Sequence, residues 1–174
     1  MVISVQSLTL IKDERQILGP LSFVLEQASW LSIVGANGAG KSTLLRLMAG
    51  IDVPTDGNIK LRDQSVTGIS PLNRAQRIGY LAQSSSTSFP FSVEEYVSLG
   101  LVPHDDKAFD HRCVMDAVIE SLTLSALRER KVTGLSGGEF QRVRLARVLA
   151  QVWCEPYKRV LILDEPLTSL DLKI

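Results

Sequence analysis

The sequence predicts an α/β protein, and three observations carry that prediction. A glycine-rich loop, Gly35 to Thr43, stands between an apolar stretch and a helix-forming stretch. A second apolar run, Val160-Leu161-Ile162-Leu163, ends in the carboxylates Asp164 and Glu165. An N-terminal pair of β-type segments flanks the charged turn Lys12-Asp13-Glu14-Arg15. The first two belong to a parallel sheet with helical crossovers, the third to a small antiparallel sheet beside it.

Residues 2–11 and 16–26 read as the two strands of the antiparallel hairpin. Trp30-Leu31-Ser32-Ile33-Val34 reads as a short apolar strand leading into GANGAGKST. Thr43 to Ala49 continues as a helix that stops at Gly50. The G-x-x-x-x-G-K-S spacing (Gly35, Gly40, Lys41, Ser42) is the phosphate-binding loop pattern, and strand, loop and helix are its required context. Gly35, Gly38 and Gly40 let the backbone curl so that N–H groups converge on phosphate oxygens. The positive end of the following helix adds to that field. Lys41 reaches the β- and γ-phosphates, and Ser42 offers its hydroxyl to Mg²⁺. The residues therefore point to a nucleoside triphosphate.

Further along, Pro54-Thr55-Asp56-Gly57 is a turn opening a strand over 58–61. Residues 77–82 read as a buried strand ending at Gln83, and Ser84–Ser88 as a polar flexible loop. Ser92-Val93-Glu94-Glu95 is a capping box opening a helix. Residues 107–123 are expected to be helical, with Met115, Val118, Ile119 and Leu122 on one face. The signal over 138–153 is a further helix, with Arg142, Arg144 and Arg147 read as a solvated face, an interface being the alternative. The chain divides accordingly into 1–84 (core with the phosphate loop), 85–134 (helical insertion) and 135–174 (helix and acidic strand).

Composition narrows the partners. Lys+Arg 19 balances Asp+Glu 19, so no overall charge favours nucleic acid. No run approaches the ~18 apolar residues of a membrane span. The first residues lack the basic and apolar regions of a signal peptide. Cys113 and Cys154 have no metal or redox spacing and read as packed thiols. The expectation is a reduced, soluble, cytoplasmic protein.

Asp164 arrives at the carboxyl end of its strand, where ligands bind in open α/β sheets. This is the Walker B arrangement: Asp164 for Mg²⁺, and Glu165 to take a proton from the attacking water. Leu135-Ser136-Gly137-Gly138-Glu139 opens a helix and offers a second anion-binding helix N-terminus.

In this order GANGAGKS, Gln83, LSGGE, VLILDE and Ser169-Leu170-Asp171 resemble the ATP-binding subunits of ABC transporters, over essentially the whole chain. The resemblance implies an ABC-type P-loop ATPase working as a head-to-tail homodimer that sandwiches two ATP molecules. Each ATP would meet Gly35, Ala36, Asn37, Gly38, Ala39, Gly40, Lys41, Ser42 and Thr43 of one subunit. It would meet Ser136, Gly137 and Gly138 of the other. Ser42, Gln83 and Asp164 would serve Mg²⁺, Glu165 and Gln83 catalysis, and Asp171 the crossing between sites. The partners implied are separate membrane-spanning permease subunits and, through them, an external substrate-binding protein. The location implied is the cytoplasmic face of the inner membrane.

PFSVEEYVSLG (90–100) and QRVRLARVLAQVW (141–153) resemble the ATPases of haem, iron-siderophore and vitamin B12 importers, with zinc or manganese importers as the alternative. Residues from Gln83 to about Val102 would dock the permease, with Phe89 and Phe91 either contacting it or packing under the helical insertion. A DNA-repair or translation member of the superfamily is disfavoured, because neither a coiled-coil insertion nor a second cassette is present. Two departures stand out. No aromatic residue precedes Phe23 to stack on adenine, leaving Ile11, Lys12 or Arg15 to cover the base. Nine residues follow Glu165, fewer than the dozen or so of a parallel crossover, so the strand bearing the family's switch histidine is expected to be absent and the chain truncated. His104 and His111 are expected at the surface and cannot replace it. The alternative function is a nucleotide-binding module without turnover.

Overall fold

The computed structural model describes residues 2–83, 89–104, 110–153 and 159–166. They form two compact units, residues 1–74 and 75–174.

In the first unit β1 (Ile3–Lys12) and β2 (Arg15–Leu25) form the expected antiparallel hairpin. Asp13 and Glu14 turn it with φ of 49° and 61°. β3 (Asp56–Leu61) pairs with the other edge of β1, and β4 (Gln64–Ser65) closes the sheet in the order β2-β1-β3-β4. The register places Ile3 opposite Leu61 and Val5 opposite Ile59. All four are buried, which fixes the pairing, because a one-residue slip would turn each of them to the opposite face. The helix α1 (Lys41–Met48) buries Leu44, Leu47 and Met48. A short helix, α2 (Pro71–Ala75), ends this part of the chain.

The expected strand over Trp30–Val34 does not form: residues 29–36 belong to no strand. A strand exists only through the ladder it makes, and none of β1–β4 pairs with this segment. Trp30 and Val34 are 83% and 90% exposed.

In the second unit β5 (Ile78–Leu81) and β6 (Val160–Leu163) pair in parallel, with Ile78 opposite Val160 and Leu81 opposite Leu163. Three helices follow from local signals. α3 (Val93–Ser98) starts in a complete capping box: the Ser92 hydroxyl accepts from the Glu95 N–H, and the Glu95 carboxylate accepts from the Ser92 N–H at 2.6 Å. The Ser92 bonds hold the Glu95 carboxyl below its ordinary pKa. α4 (His111–Ser121) is capped by Asp110, whose carboxylate accepts from the N–H groups of Arg112 and Cys113. α5 (Gly137–Trp153) is the longest. Val93, Val97, Leu101, Val118, Ile119 and Leu124 pack with Val143, Ala146 and Ala150 of α5 into one apolar cluster. Burying each larger aliphatic side chain contributes about 1.5–3 kcal/mol. Arg128 ties α3 to α4 by bridging Glu94 (2.5 Å) and Asp116 (2.6 Å).

Leu99–His104 is a 3₁₀ segment packed on α5. His104 is not a surface histidine: it is buried, with Nε2 2.6 Å from the Gln151 carbonyl of α5. His111 is partly buried against the His104 carbonyl. Cys113 is exposed rather than packed, because it falls on the outer face of α4. Nor do the arginines of α5 form a solvated face. Arg144 is buried and Arg142 and Arg147 are half-buried, the last stacking 5.4 Å from the Tyr96 ring centroid. Phe91 packs on the apolar cluster, and Phe89 is exposed. Among the described residues no helix is long and apolar enough to cross a membrane.

Candidate functional site

The glycine-rich loop enters α1 through Gly40, which serves as N-cap at φ 87° with no side-chain cap. Its left-handed conformation suits glycine, and a Cβ there would lie 3.1 Å from the Ile17 carbonyl. Gly38 also has positive φ, at 80°. Asn37 lies in the turn closed by the Ala39 N–H on the Ala36 carbonyl. The first turn, Lys41, Ser42 and Thr43, contains no acidic residue. Such an end carries N–H groups that no carbonyl of its own helix can accept from, and a positive dipole end. Lys41 folds its ammonium over the loop, donating to the carbonyls of Gly35 (2.8 Å) and Ala36 (2.9 Å). One face of the loop is thus a cationic, N–H-rich cradle for an anion.

In the second unit the β5–β6 register brings two other expected residues together. Carried two residues past Leu81 and Leu163, it sets Gln83 beside Glu165. The Gln83 Nε2 donates to the Glu165 carboxylate at 2.7 Å. Asp164 is buried, its N–H extends the ladder to the Leu81 carbonyl, and the Tyr80 hydroxyl lies 3.4 Å from its Oδ2. Glu165 has φ 49°, a left-handed conformation costly for a non-glycine residue.

Ser136 caps α5 in a reciprocal box. Its N–H donates to the Glu139 carboxylate at 2.8 Å, and the Glu139 N–H donates to its hydroxyl at 3.3 Å. These bonds hold the Glu139 carboxyl below its ordinary pKa. Gly137 and Gly138 form the first turn of the helix. Asp171 lies outside the described residues, as do Ser169, Leu170, Ser84–Ser88 and Cys154.

Gln83 and Asp164, both in the second unit, offer an amide carbonyl and a carboxylate, and Ser42, in the first, offers a hydroxyl. Each is a hard oxygen of the kind Mg²⁺ binds together with phosphates and water. Gln83 spends its NH₂ on Glu165, so its carbonyl oxygen is the atom suited to the cation.

Gln141 and Arg144 of α5, neither expected at the site, reach its backbone. Gln141 donates through Nε2 to the Pro166 carbonyl at 3.0 Å, and Arg144 donates to the Ala82 carbonyl at 2.5 Å. Their spacing of three on a helix with apolar Val143 and Ala146 between and beyond was the available signal.

The sequence profile described as "ABC transporter" matches residues 18–168. Hemin import ATP-binding protein HmuV of Rhodopseudomonas palustris strain HaA2 is 42% identical over 158 residues, 88% of this chain and 59% of the relative. The protein of that name from Pseudomonas entomophila strain L48 is 38% identical over 170 residues, 98% of this chain and 67% of the relative. Among solved structures, an inward-facing ABC transporter of metal-chelate type superposes with TM-score 0.78 at 32% identity, over 98% of this chain and 62% of that one. The dimeric bacterial ABC cassette MJ0796 gives 0.81 at 25% identity, over 97% of this chain and 76% of that one. The chain thus spans about three fifths of the length of the first of these relatives.

Proposed function

Because the chain belongs to the ABC transporter family, we propose that it is the ATP-binding and ATP-hydrolysing subunit of an importer. The observation that carries the proposal is the Lys41-capped loop at the α1 N-terminus, a phosphate cradle built from backbone and one cation. Bound at Gly35–Thr43, the γ-phosphate would draw Lys41 away from the Gly35 and Ala36 carbonyls. Mg²⁺, served by Ser42, Asp164 and Gln83, would supply charge neutralisation on the phosphates. Glu165 accepts the proton of the attacking water. The new bond joins that water oxygen to the γ-phosphorus. The bond to the β–γ bridging oxygen breaks, and ADP leaves with its electron pair. Gln83 orients the Glu165 carboxylate through its amide.

The wider reading rests on the relatives. Two copies assemble head to tail, Ser136, Gly137 and Gly138 of each facing the nucleotide of the other, with Asp171 at the crossing. Permease subunits hold the dimer at the cytoplasmic face of the membrane, and an external binding protein delivers the substrate. HmuV is named for hemin import and the structural neighbour for metal chelates, so haem or a related metal chelate is the proposed class. The division into 1–84, 85–134 and 135–174 belongs to this reading.

A nucleotide-binding module without turnover is the second reading. It is favoured by residues 29–36, which lead into the phosphate loop without a strand. Calorimetric titration with Mg-ATP and a phosphate-release assay test both. Binding by the wild-type chain that weakens about 10- to 100-fold in Lys41→Ala, the range of one charged hydrogen bond, supports nucleotide recognition. Phosphate release abolished by Glu165→Gln supports the enzyme, and binding with no release supports the module. Equal binding by wild type and Lys41→Ala removes both.

A further inference from the structure

Arg144 and Gln141 sit one helical turn apart on α5, each only 5% exposed. A guanidinium so placed has lost most of its hydration, and burial pushes its pKa down. No carboxylate stands within ion-pair distance of it among the described residues. An aliphatic residue would carry no such desolvation cost, so the buried charge has to be offset by the hydrogen bonds it makes. The charge is held by two oxygens. Arg144 Nη1 donates to the Gln141 side-chain carbonyl at 2.7 Å, and Nη2 donates to the Ala82 backbone carbonyl at 2.5 Å. Gln141 Nε2 in turn donates to the Pro166 carbonyl at 3.0 Å.

Ala82 immediately precedes Gln83, and Pro166 immediately follows Glu165. With the 2.7 Å bond from Gln83 to Glu165, the bonds close a ring: Ala82, Gln83, Glu165, Pro166, Gln141, Arg144 and back to Ala82. The two short backbone arms are thus pinned from behind by one helix face, and each ends in a side chain aimed at the other. Lysine could not do this, because only a planar fork presents two donors in fixed divergence.

We propose that Arg144 and Gln141 are positioning residues that hold Gln83 against Glu165, so that the pair and the helix bearing Ser136, Gly137 and Gly138 move as one body. The inference rests on the ATPase reading for its kinetic consequence and on the ring alone for its structural one. Misplacing a catalytic group by about 1 Å costs up to ~10²-fold in rate.

The test compares wild type, Arg144→Met and Arg144→Lys by steady-state ATP hydrolysis, by thermal melting, and by the water-exchange rate of the ¹⁵N-labelled Gln83 side-chain amide. The expected result is a kcat lowered about 10- to 100-fold in Arg144→Met, with KM for ATP within about twofold and a lowered melting point, because the Ala82 and Gln141 oxygens lose their buried donor. Gln83 amide exchange accelerates, and Arg144→Lys lies between. If wild type hydrolyses ATP while Arg144→Met keeps its kcat and its Gln83 exchange rate, the positioning role is overturned and the ATPase reading stands. If wild type does not hydrolyse ATP, the ATPase reading fails and Gln83 exchange alone decides: acceleration supports the ring, and no change overturns it. Should Arg144→Met not fold, Arg144→Lys carries the same comparison.

Discussion

At Gly100 the main chain comes close against the backbone of α5. This residue lies in the 3₁₀ segment Leu99–His104, and it is buried. A Cβ built there would stand 2.1 Å from the Arg147 carbonyl oxygen, 3.1 Å from that carbonyl carbon and 3.2 Å from the Ala150 Cβ. A carbon and a carbonyl oxygen approach no closer than ~3.3 Å even in Cα–H···O contacts. Gly100→Ala must therefore separate two main chains by about 1 Å. The obstructing atom is helix backbone, which cannot swing aside as a side-chain tip can. Overpacking a close-packed interior costs about 1–3 kcal/mol, and a backbone obstruction belongs at the upper end. At roughly 2–4 °C per kcal/mol for a chain of this size, melting should fall by about 6–12 °C. Circular dichroism at 222 nm, dominated by helix, reads it. Gly134→Ala is the control, since a Cβ there meets nothing within 4 Å; its expected change is within about 0.5 kcal/mol. Melting of Gly100→Ala within about 2 °C of wild type would refute the reasoning, for α5 would then have room that its contacts deny it.

Three further outcomes follow from other contacts. Ser92→Ala removes the capping box of α3 and should lower stability by about 1 kcal/mol, seen as a shifted urea midpoint at unchanged slope. Leu124→Ala empties a fully buried site and should cost about 2–5 kcal/mol in the same assay. Arg46 binds Asp52 at 2.7 Å, and that bond lowers the Asp52 pKa. Because the folded value lies below the unfolded one of ~3.9, the pair stabilises above that pH and its contribution disappears as pH falls through the lowered value. Both side chains are substantially exposed, so the gain is at most about 1 kcal/mol. The stability gap between wild type and Arg46→Met should be present at pH 6 and close by pH 2–3; a gap that persists in acid would show that Arg46 acts through its stem.

What could be read from sequence was what local chemistry decides. The hairpin at Asp13-Glu14, the loop before α1, the Ser92 box and the helix opening at Ser136 each rest on residues within a few positions of one another, and each formed. What could not be read depends on partners far along the chain. Trp30–Val34 has a strand's composition, but a strand also needs a neighbour. Arg144 carries a charge, and by residue type alone it resembles Arg142 and Arg147. Its burial depends on the Ala82 carbonyl, 62 residues away, as well as on the nearby Gln141 side chain. His104 is covered because α5 presents the Gln151 carbonyl to it. The Gln83–Glu165 contact is intermediate: both residues were expected at strand ends, but their bond follows from a β5–β6 register that neither strand specifies alone.

The chain's two tryptophans stand in contrasting surroundings. Trp30, 83% exposed, belongs to the first unit. Trp153, at the end of α5, packs on the apolar cluster of the second, with the Arg159 guanidinium 5.9 Å from its ring centroid. An indole in water emits at longer wavelength and meets soluble quenchers freely, whereas a packed one does neither. The protein therefore carries one intrinsic optical reporter in each unit, and single Trp→Phe variants separate their signals. Unfolding of the α5 cluster would be read in Trp153. Any event that covers the segment before the phosphate loop would be read in Trp30 as a blue shift, with no label attached.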